Sequence, residues 1–304
     1  MNVEMEIAEA MHASGVIPPR HILFDGKIRR FGPKKSSWCV FFDGHVKAGA
    51  FGDWKTGVNE KFVESRDGIT PKDRQRIFQQ MREAAALRER ELRTAHEQAA
   101  HDCASIWNSA GATDANEYLV SKGLHRSASD YGLRHGKEPF GSYTPFGPGV
   151  VSLIVPAVNI KGTIHSLQFI APDGRKRFYP GGKLSGHFCP IRFIDKPVKF
   201  LICEGIATAL TLFEDTGFPV IVAFNAGNLV SVAESIRLKY TNADILICGD
   251  DDHFTEGNPG RTRAREAAAR CGGSWVTPDF TGLLRGPKDT DFNDLRQLKG
   301  GCHE

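Results

Sequence analysis

The C-terminal third of the chain contains two apolar segments that each run directly into acidic residues. Residues 199–203 precede Glu204, and residues 245–248 precede Asp250 and Asp252. A continuous apolar run of this length is typical of a strand that is buried on both faces of a parallel sheet. Ligands of such sheets bind beyond the carboxyl ends of the strands. The pattern therefore predicts that Glu204, Asp250 and Asp252 meet at one edge of a parallel sheet.

Carboxylates gathered in this way need a counter-charge. Two of them about 4 Å apart repel each other by roughly 4 kcal/mol at an effective dielectric constant of about 20. Mg²⁺ prefers oxygen ligands and takes one or two protein carboxylates together with substrate phosphates and water. The three acids therefore predict a Mg²⁺ (or Mn²⁺) site that serves phosphate chemistry.

The segments around these acids alternate between strand and helix patterns. The predicted elements are a helix over 206–213 that stops at Thr216-Gly217, a strand over 218–224, a helix over 229–240, a helix over 261–270 and a strand over 274–277. Alternating strands and helices of this length imply right-handed crossovers and a parallel sheet.

An ordered set of motifs in this region resembles a known family. The motifs are Glu204-Gly205, Asp250-x-Asp252, Gly257–Ala264, Gly272-Gly273 and Asp291–Leu295. Together they resemble the Toprim fold, and over about residues 196–297 the chain is similar to the Toprim DNA primases of plasmids and satellite phages. The resemblance implies synthesis of short RNA primers on single-stranded DNA from ribonucleoside triphosphates by nucleotidyl transfer.

The resemblance also implies roles for the acids. Glu204, Asp250 and Asp252 would hold two Mg²⁺ or Mn²⁺ ions that activate the 3′-hydroxyl and neutralise the leaving pyrophosphate. Glu204 is either a further ligand or the group that handles the hydroxyl proton. Asp291 and Asp294 either add an outer metal contact or cap a helix.

The segment before the Toprim region supplies, in the primases that this chain resembles, the basic residues of the cleft. The matching candidates for nucleotide and phosphate binding are Arg175, Lys176, Arg177, Lys183 and His187. Strands are predicted over 150–156, 162–170 and 176–179, with a short helix from Asp114 that ends before Gly123. The alternative is a charged hairpin tip with flexible glycines.

The N-terminal residues alternate short apolar pieces with turns, which predicts a small antiparallel module. Strands are expected over 21–24, 28–31, 37–42 and 48–54, and the pairs Asp25-Gly26 and Asp43-Gly44 predict hairpins. Basic residues interleaved with aromatic ones are typical of platforms on which single-stranded bases stack. The candidate DNA-binding residues are Arg29, Arg30, Trp38, Trp54 and Lys55. The alternative is a hydrophobic core with a charged rim.

Composition limits the remaining possibilities. The formal net charge is only +3, so nucleic-acid binding depends on local basic surfaces. The seven cysteines occur singly without a Cys-x-x-Cys pair, which predicts reduced thiols in a cytoplasmic protein and no zinc. Members of the family usually carry a zinc ribbon before the catalytic core, and this departure leaves template recognition open. No apolar run approaches 18 residues, which predicts no membrane partner.

The patterns, together with what the resemblance to Toprim primases implies, predict an α/β protein in four parts. They are a β-rich module at 1–68, a long exposed connecting helix at 69–110, an α+β primase-core subdomain at 111–195 and a Toprim domain with a Rossmann-like parallel sheet at 196–304. The chain contains no Gly-x-x-x-x-Gly-Lys-Ser/Thr motif, so a separate replicative helicase is the expected partner. Two alternatives to the primase are a Toprim nuclease and a non-catalytic accessory that binds single-stranded DNA.

Overall fold

The fold divides into two units, Met1–Leu92 and Arg93–Glu304. The computed structural model describes residues 3–44, 46–53, 56–64, 71–111, 116–192 and 197–300. Trp54 and Lys55, two of the candidate DNA-binding residues, lie outside the described residues.

The first unit contains a helix and a four-stranded antiparallel sheet. Its elements are α1 Val3–Ala13, β1 Arg29–Phe31, β2 Ser37–Phe42, β3 Ala48–Asp53 and β4 Val58–Val63, and the strands pair in the order β1-β2-β3-β4. The sequence interpretation missed α1 and β4. Val3, Ile7 and Met11 are buried against Phe41 and Phe51, and their i, i+4, i+8 spacing is the amphipathic signal that went unused.

The two Asp-Gly predictions in this unit have different outcomes. Asp43-Gly44 begins the connection between β2 and β3, as predicted. The prediction of a hairpin at Asp25-Gly26 is wrong, and residues 21–24 form no strand. Asp25 instead accepts hydrogen bonds from the backbone N–H of Lys27 (3.0 Å) and from Arg29 (2.7 Å), so its carboxylate forms a local turn.

A single long helix, α2, covers Pro71–Ser109 and contains the boundary between the units. Its length agrees with the predicted helix over 69–110. The prediction that it is exposed throughout is wrong for its last turns. Ala99, Cys103 and Ile106 are buried, and the last two pack against Leu167 and Phe169. This stripe lies outside the thin apolar stripe that the sequence interpretation used.

After the last turns of α2, the second unit continues with α3 and an antiparallel sheet. The elements are α3 Glu117–Ser121, β5 Arg134–Lys137, β6 Val151–Val158, β7 Ile164–Ile170 and β8 Lys176–Phe178, with strand order β5-β6-β7-β8. Asn116 caps α3 by accepting hydrogen bonds from the backbone N–H groups of Tyr118 and Leu119. The three predicted strands are present, and β5 is an additional edge strand.

A five-stranded sheet forms the rest of this unit. Its elements are β9 Cys189–Ile191, β10 Lys199–Cys203, α4 Ile206–Thr216, β11 Val220–Val222, α5 Leu229–Lys239, β12 Asp244–Cys248, α6 Pro259–Cys271, β13 Ser274–Val276 and α7 Phe292–Gly300. The strand order is β13-β12-β10-β11-β9, and all pairs are parallel except β11 with β9. The predicted parallel sheet is confirmed, and β9 adds an antiparallel edge from before residue 196.

The central strand β10 is apolar over residues 200–203 because helices cover both faces of the sheet. Leu201 and Cys203 pack in a cluster with α4, whereas Phe200 and Ile202 pack in a second cluster with α5 and α6. Burying side chains of this kind contributes roughly 1.5–3 kcal/mol each. The register pairs Cys203 with Cys248, so β10 and β12 end side by side.

Candidate active site

Glu204 and Asp250 follow the ends of β10 and β12. Each has one carboxylate oxygen, Oε1 of Glu204 and Oδ1 of Asp250, that is buried and has no hydrogen-bond partner within the described part of the chain. A buried acceptor without a donor costs roughly 1–3 kcal/mol, and more when it is charged. Two such oxygens at adjacent strand ends are therefore candidates for ligands of a cation.

Five carboxylates influence each other at this edge of the sheet. Burial raises the pKa of Asp250 well above its ordinary value, and the negative charges of Glu204, Asp291, Asp252 and Asp294 raise it further. Burial and Asp252 raise the pKa of Glu204 to about 7, against a hydrogen bond from the backbone of Ala226. We call these residues the acid cluster: Glu204, Asp250, Asp252, Asp291 and Asp294.

Asp252 is held by the first turn of α6. Its Oδ2 accepts a hydrogen bond from the backbone N–H of Gly260 at 2.8 Å, and its own N–H donates to Asn258 at 2.9 Å. A Cβ on residue 260 would lie 2.5 Å from the backbone oxygen of Asp250, so only glycine lets α6 approach this closely. The helix start thereby positions two of the three predicted metal ligands.

Asp251 has a structural role that differs from that of its neighbours. Arg285 donates to its Oδ2 at 2.6 Å, and Asn258 donates to its Oδ1 at 2.7 Å. These contacts hold the pKa of Asp251 below its ordinary value despite partial burial. The sequence interpretation placed this side chain away from the acids that flank it, and the contacts agree.

Asp291 and Asp294 cap α7. The backbone N–H of Asp294 donates to Oδ1 of Asp291 at 2.9 Å, and Oδ2 of Asp294 accepts from the N–H groups of Thr290 (2.9 Å) and Asp291 (3.1 Å). Thr208 of α4 donates to the other oxygen of Asp291 at 2.9 Å. This reciprocal pattern is a capping box. The sequence left open whether these acids contact a metal or cap a helix, and the structure contains the cap. The negative charges of both acids still raise the pKa of Asp250.

Lys176 is the predicted basic residue that the structure brings to the acid cluster. Desolvation lowers its pKa, while the negative charges of Asp291 and Asp250 act in the opposite direction. Arg177, its neighbour on β8, points to the other side because side chains alternate along a strand. Arg177 and Arg175 lie over the Phe146 ring, at 6.0 and 5.2 Å from its centre.

Lys122 is a basic residue at the site that the sequence interpretation missed. Its positive charge acts on both Lys176 and Asp294. The buried side chain of Asn293 in α7 holds it in place by donating to the Lys122 backbone oxygen at 2.8 Å. The two residues are 171 positions apart, so no local pattern could have indicated the contact.

Lys183 and His187 belong to a separate group of basic side chains, together with His165. Lys183 is exposed and its charge acts on His165 and His187, whose rings are 4.6 Å apart. His187 is buried, and desolvation is the main cause that lowers its pKa. Its Nδ1 lies 2.9 Å from the backbone oxygen of Ser185, which makes this ring a support for the loop.

Asn228 anchors the glycine-rich loop at 181–187 to the parallel sheet. Its side-chain amide donates to the backbone oxygens of Leu184 (3.1 Å), His187 (2.9 Å) and Ala223 (2.9 Å) and accepts from Gly186 (2.8 Å). Asn228 is buried, so these bonds are shielded from water. The sequence interpretation saw only a turn here.

The acid cluster suits Mg²⁺ or Mn²⁺ by the chemistry of its donors. All of them are carboxylate oxygens, which hard divalent cations prefer. Within the residues that the structure describes, no three Asp, Glu, His or Cys side chains form a ready-made ligand set. A Mg²⁺ site completed by substrate phosphates needs only one or two carboxylates. The unpartnered oxygens of Glu204 and Asp250 meet that requirement.

The described DNA-binding candidates, Arg29, Arg30 and Trp38, lie on the antiparallel sheet of the first unit. Arg30 is paired with Trp38 across β1 and β2, and both retain exposed surface. A Cβ on Gly52 would lie 3.0 Å from the Trp38 ring, so the glycine lets the indole lie against β3. Arg29 forms an exposed ion pair with Asp25 at 2.7 Å.

The fold and the acid cluster are those of a known class of protein domain. Residues 199–301 match the model of the Toprim domain, so this part of the chain is a Toprim domain. Two proteins named DNA primase TraC, both from Escherichia coli, are similar over most of the chain. One is 31% identical over 294 residues and the other 29% over 299 residues, which is 91% and 92% of this chain.

These matches confirm the resemblance to Toprim DNA primases. They cover only part of the length of each relative. The chain spans about a quarter of the length of these relatives, 26% and 20%. Two solved structures are also similar: the primase fragment of the bacteriophage T7 primase-helicase protein and the Aquifex aeolicus primase. They are 17% and 13% identical, each with a TM-score of 0.44, and the match covers 64% and 90% of this chain and 73% and 80% of theirs.

Proposed function

We propose that this chain is the catalytic core of a DNA primase that joins ribonucleotides on a single-stranded DNA template. The observation that carries the proposal is the pair of unpartnered, buried oxygens of Glu204 and Asp250 at the edge of the Toprim sheet. The charge of Lys176 interacts with Asp250 and Asp291 at the same edge. The similarity to proteins named DNA primase supports it, since it extends well beyond the Toprim domain.

The reaction divides between the acid cluster and the basic residues. The 3′-hydroxyl of the growing strand attacks the α-phosphorus of the incoming nucleotide, an O–P bond forms, the hydroxyl proton leaves and pyrophosphate departs. Divalent cations, when bound, would supply charge neutralisation for the triphosphate and acidify the hydroxyl. Glu204, Asp250 and Asp252 would hold them, and Glu204 is also a candidate acceptor for the proton.

Lys176, Lys122 and Lys183 would bind the triphosphate. The charges of Lys176 and Lys122 interact with members of the acid cluster, which supports this role. Lys183 lies on the glycine-rich loop that Asn228 anchors, where a close backbone approach to phosphate is possible. In the first unit, Arg30 and Trp38 would contact the template strand by charge and stacking.

The proposed setting is replication of a plasmid, phage or other mobile element, with strand separation by a separate helicase. The six described cysteines are all free and buried, which fits a reducing compartment such as the cytoplasm. No helix within the described residues has the length and apolar character that a membrane crossing requires.

The test follows labelled ribonucleotides on single-stranded DNA with Mg²⁺ or Mn²⁺. The unaltered protein is expected to make short labelled oligomers, and the double variant Asp250→Asn/Asp252→Asn to make none. The variant Asp251→Asn is unsuitable as a control because Asp251 anchors Arg285; Glu256→Gln, an exposed neighbour, serves instead. Degradation of the template in place of synthesis would contradict the proposal and indicate a nuclease.

A further inference from the structure

A pocket of about 590 Å³ lies beside the acid cluster, between the loops that follow β12 and β13. Its volume falls within the range of roughly 300–1,000 Å³ that is usual for ligand sites. Asp251 lines it, while the adjacent residues Asp250 and Asp252 belong to the acid cluster. The pocket and the acid cluster therefore share the end of one strand.

An exposed aromatic ring, Phe254, lines this pocket. The residue retains 59% of its accessible surface, although solvent is a poor environment for a phenyl ring. The Arg285 guanidinium lies 5.7 Å from the centre of this ring and 4.2 Å from that of Phe280. Arg285 is itself fixed by an ion pair with Asp251. The side chains of Arg285 and Asp251 are only 11% and 16% exposed. Phe254 thus stands against a rigid support and is open to a ligand.

Two arginines on the exposed side of α6 extend the pocket. Arg261 lines it and lies over the Trp275 ring at 5.5 Å, and Arg265 follows one turn later on the same face. Arg263, on a different face, is paired with Glu266 at 2.6 Å. Neither Arg261 nor Arg265 forms an ion pair with any residue that the structure describes, so their charge is available to an anionic partner.

We propose that this pocket binds single-stranded DNA, with one base stacked on Phe254 and the adjoining phosphates at Arg261 and Arg265. Exposed rings next to unpaired cations are the combination by which proteins hold single strands without sequence preference. Of the two acidic lining residues, Asp251 is neutralised by Arg285, whereas Asp279, held by hydrogen bonds from Thr281, keeps its negative charge. The two positive charges of Arg261 and Arg265 exceed that single negative charge. The inference deepens the proposed primase function and rests on it, since the strand would be the template that leads to the acid cluster.

The test measures binding of a fluorescein-labelled oligothymidylate by anisotropy, without nucleotides or divalent cations. Phe254→Ala is expected to weaken binding by roughly 5- to 100-fold, the effect of losing one stacked base. Phe254→Tyr keeps the ring and should bind like the unaltered protein, whereas Phe254→Leu keeps apolar surface without stacking and should resemble Phe254→Ala. Phe218→Ala is the matched control, because Phe218 is also exposed, at 38%, in the same domain.

Equal affinity of Phe254→Ala and the unaltered protein would overturn the proposal, and so would full affinity of Phe254→Leu. A second measurement avoids any folding defect of the variants. The unaltered protein is irradiated with an oligonucleotide that contains 5-iododeoxyuridine, and the attached peptides are mapped. Cross-links to peptides within residues 251–285 support the site. Cross-links found only outside that range overturn it. Because neither measurement requires turnover, a protein that binds DNA through Phe254 but makes no primer would refute the primase function and leave the strand-binding site standing.

Discussion

Two pairs of acids meet in the acid cluster, and they differ in what satisfies them. Asp291 and Asp294, at the start of α7, accept hydrogen bonds from backbone N–H groups and from Thr208. Glu204 and Asp250, after β10 and β12, each keep a buried oxygen without a donor. The same chemical group is thus satisfied by the backbone in one region and keeps an oxygen without a partner, a candidate metal ligand, in the other.

The difference follows from the backbone around each pair. A helix start offers unpaired N–H groups that a carboxylate can accept, which stabilises both partners. The loops after β10 and β12 offer fewer donors: Glu204 receives a hydrogen bond from the backbone of Ala226, but Oε1 of Glu204 and Oδ1 of Asp250 have no donor among the described residues. Carboxylates at β10 and β12 therefore stay under-satisfied without a cation, and their charge is what a cation would bind. The predictions below test this contrast, from the largest expected effect to the smallest.

The largest effect is expected for Asp250→Asn. Removing the charge of the most crowded acid should weaken Mn²⁺ binding and reduce primer synthesis by at least about 100-fold, a magnitude typical of losing one electrostatic group in an active site. Titration calorimetry with Mn²⁺ and the labelled-ribonucleotide assay measure the two effects. Asp294→Asn is the matched comparison and should keep most of the Mn²⁺ affinity. Equal losses in the two variants would contradict the division into ligand and scaffold.

A smaller effect is expected for the basic residues of β8. Lys176→Ala should raise the KM for ribonucleotides by roughly 10- to 100-fold, because it removes a charged contact to phosphate. Arg177→Ala is the control from the next position, whose side chain lies over Phe146. The KM of each variant is measured with saturating template. A larger rise for Arg177→Ala than for Lys176→Ala would place the triphosphate on the other side of the strand.

The same contrast explains which parts of the fold the sequence could predict. The strands β10, β11 and β12 are apolar because both faces of the sheet are covered, and such runs are recognisable in isolation. The strands β5 and β9 were missed because an edge strand of three or four residues, Arg134–Lys137 or Cys189–Ile191, carries no such run. Their pairing depends on neighbours that are distant in the chain.

The acid cluster shows the same limit at the level of residues. Glu204, Asp250 and Asp252 could be predicted because each lies within four residues of the end of a recognisable strand. Lys122 and Asn228 could not, since each acquires its role through contacts with segments more than 40 residues away. Arg175 and Arg177 were assigned to the phosphate site by position in the sequence, and that role stays a prediction, since in the structure they contact Phe146.

A stability effect is expected for Glu204→Gln in the absence of metal. The folded-state pKa of Glu204 is raised from 4.5 to about 7, so deprotonation is costlier in the folded chain than in the unfolded one. The contribution of this group to stability is therefore fully present below pH 4.5 and is lost as the pH rises through 7. At pH 8, Glu204→Gln should be more stable than the unaltered protein by roughly 1–3 kcal/mol, and at pH 4.5 the two should be equal.

Urea unfolding at both pH values in the presence of a chelator measures this difference. Added Mg²⁺ should reverse the order at pH 8, because it stabilises only the protein that retains the carboxylate. Glu256→Gln, at an exposed position, provides the control: it retains Glu204, so its stability should follow that of the unaltered protein at both pH values, with and without Mg²⁺. A destabilised Glu204→Gln at pH 8 without metal would mean that the hydrogen bond from the Ala226 backbone stabilises the carboxylate by more than burial and Asp252 destabilise it.

The smallest effect is expected for the scaffold pair. Asp294→Ala removes the two hydrogen bonds from Thr290 and Asp291 and half of the capping box, which should cost roughly 0.5–2 kcal/mol of unfolding free energy. It also removes one of the charges that raise the pKa of Asp250, so Mn²⁺ binding should weaken only slightly. Urea unfolding and Mn²⁺ titration on the same preparation separate the two quantities. Loss of Mn²⁺ binding without loss of stability would show that Asp294 is a ligand and that its bonds in α7 are incidental, which would erase the distinction between the two pairs.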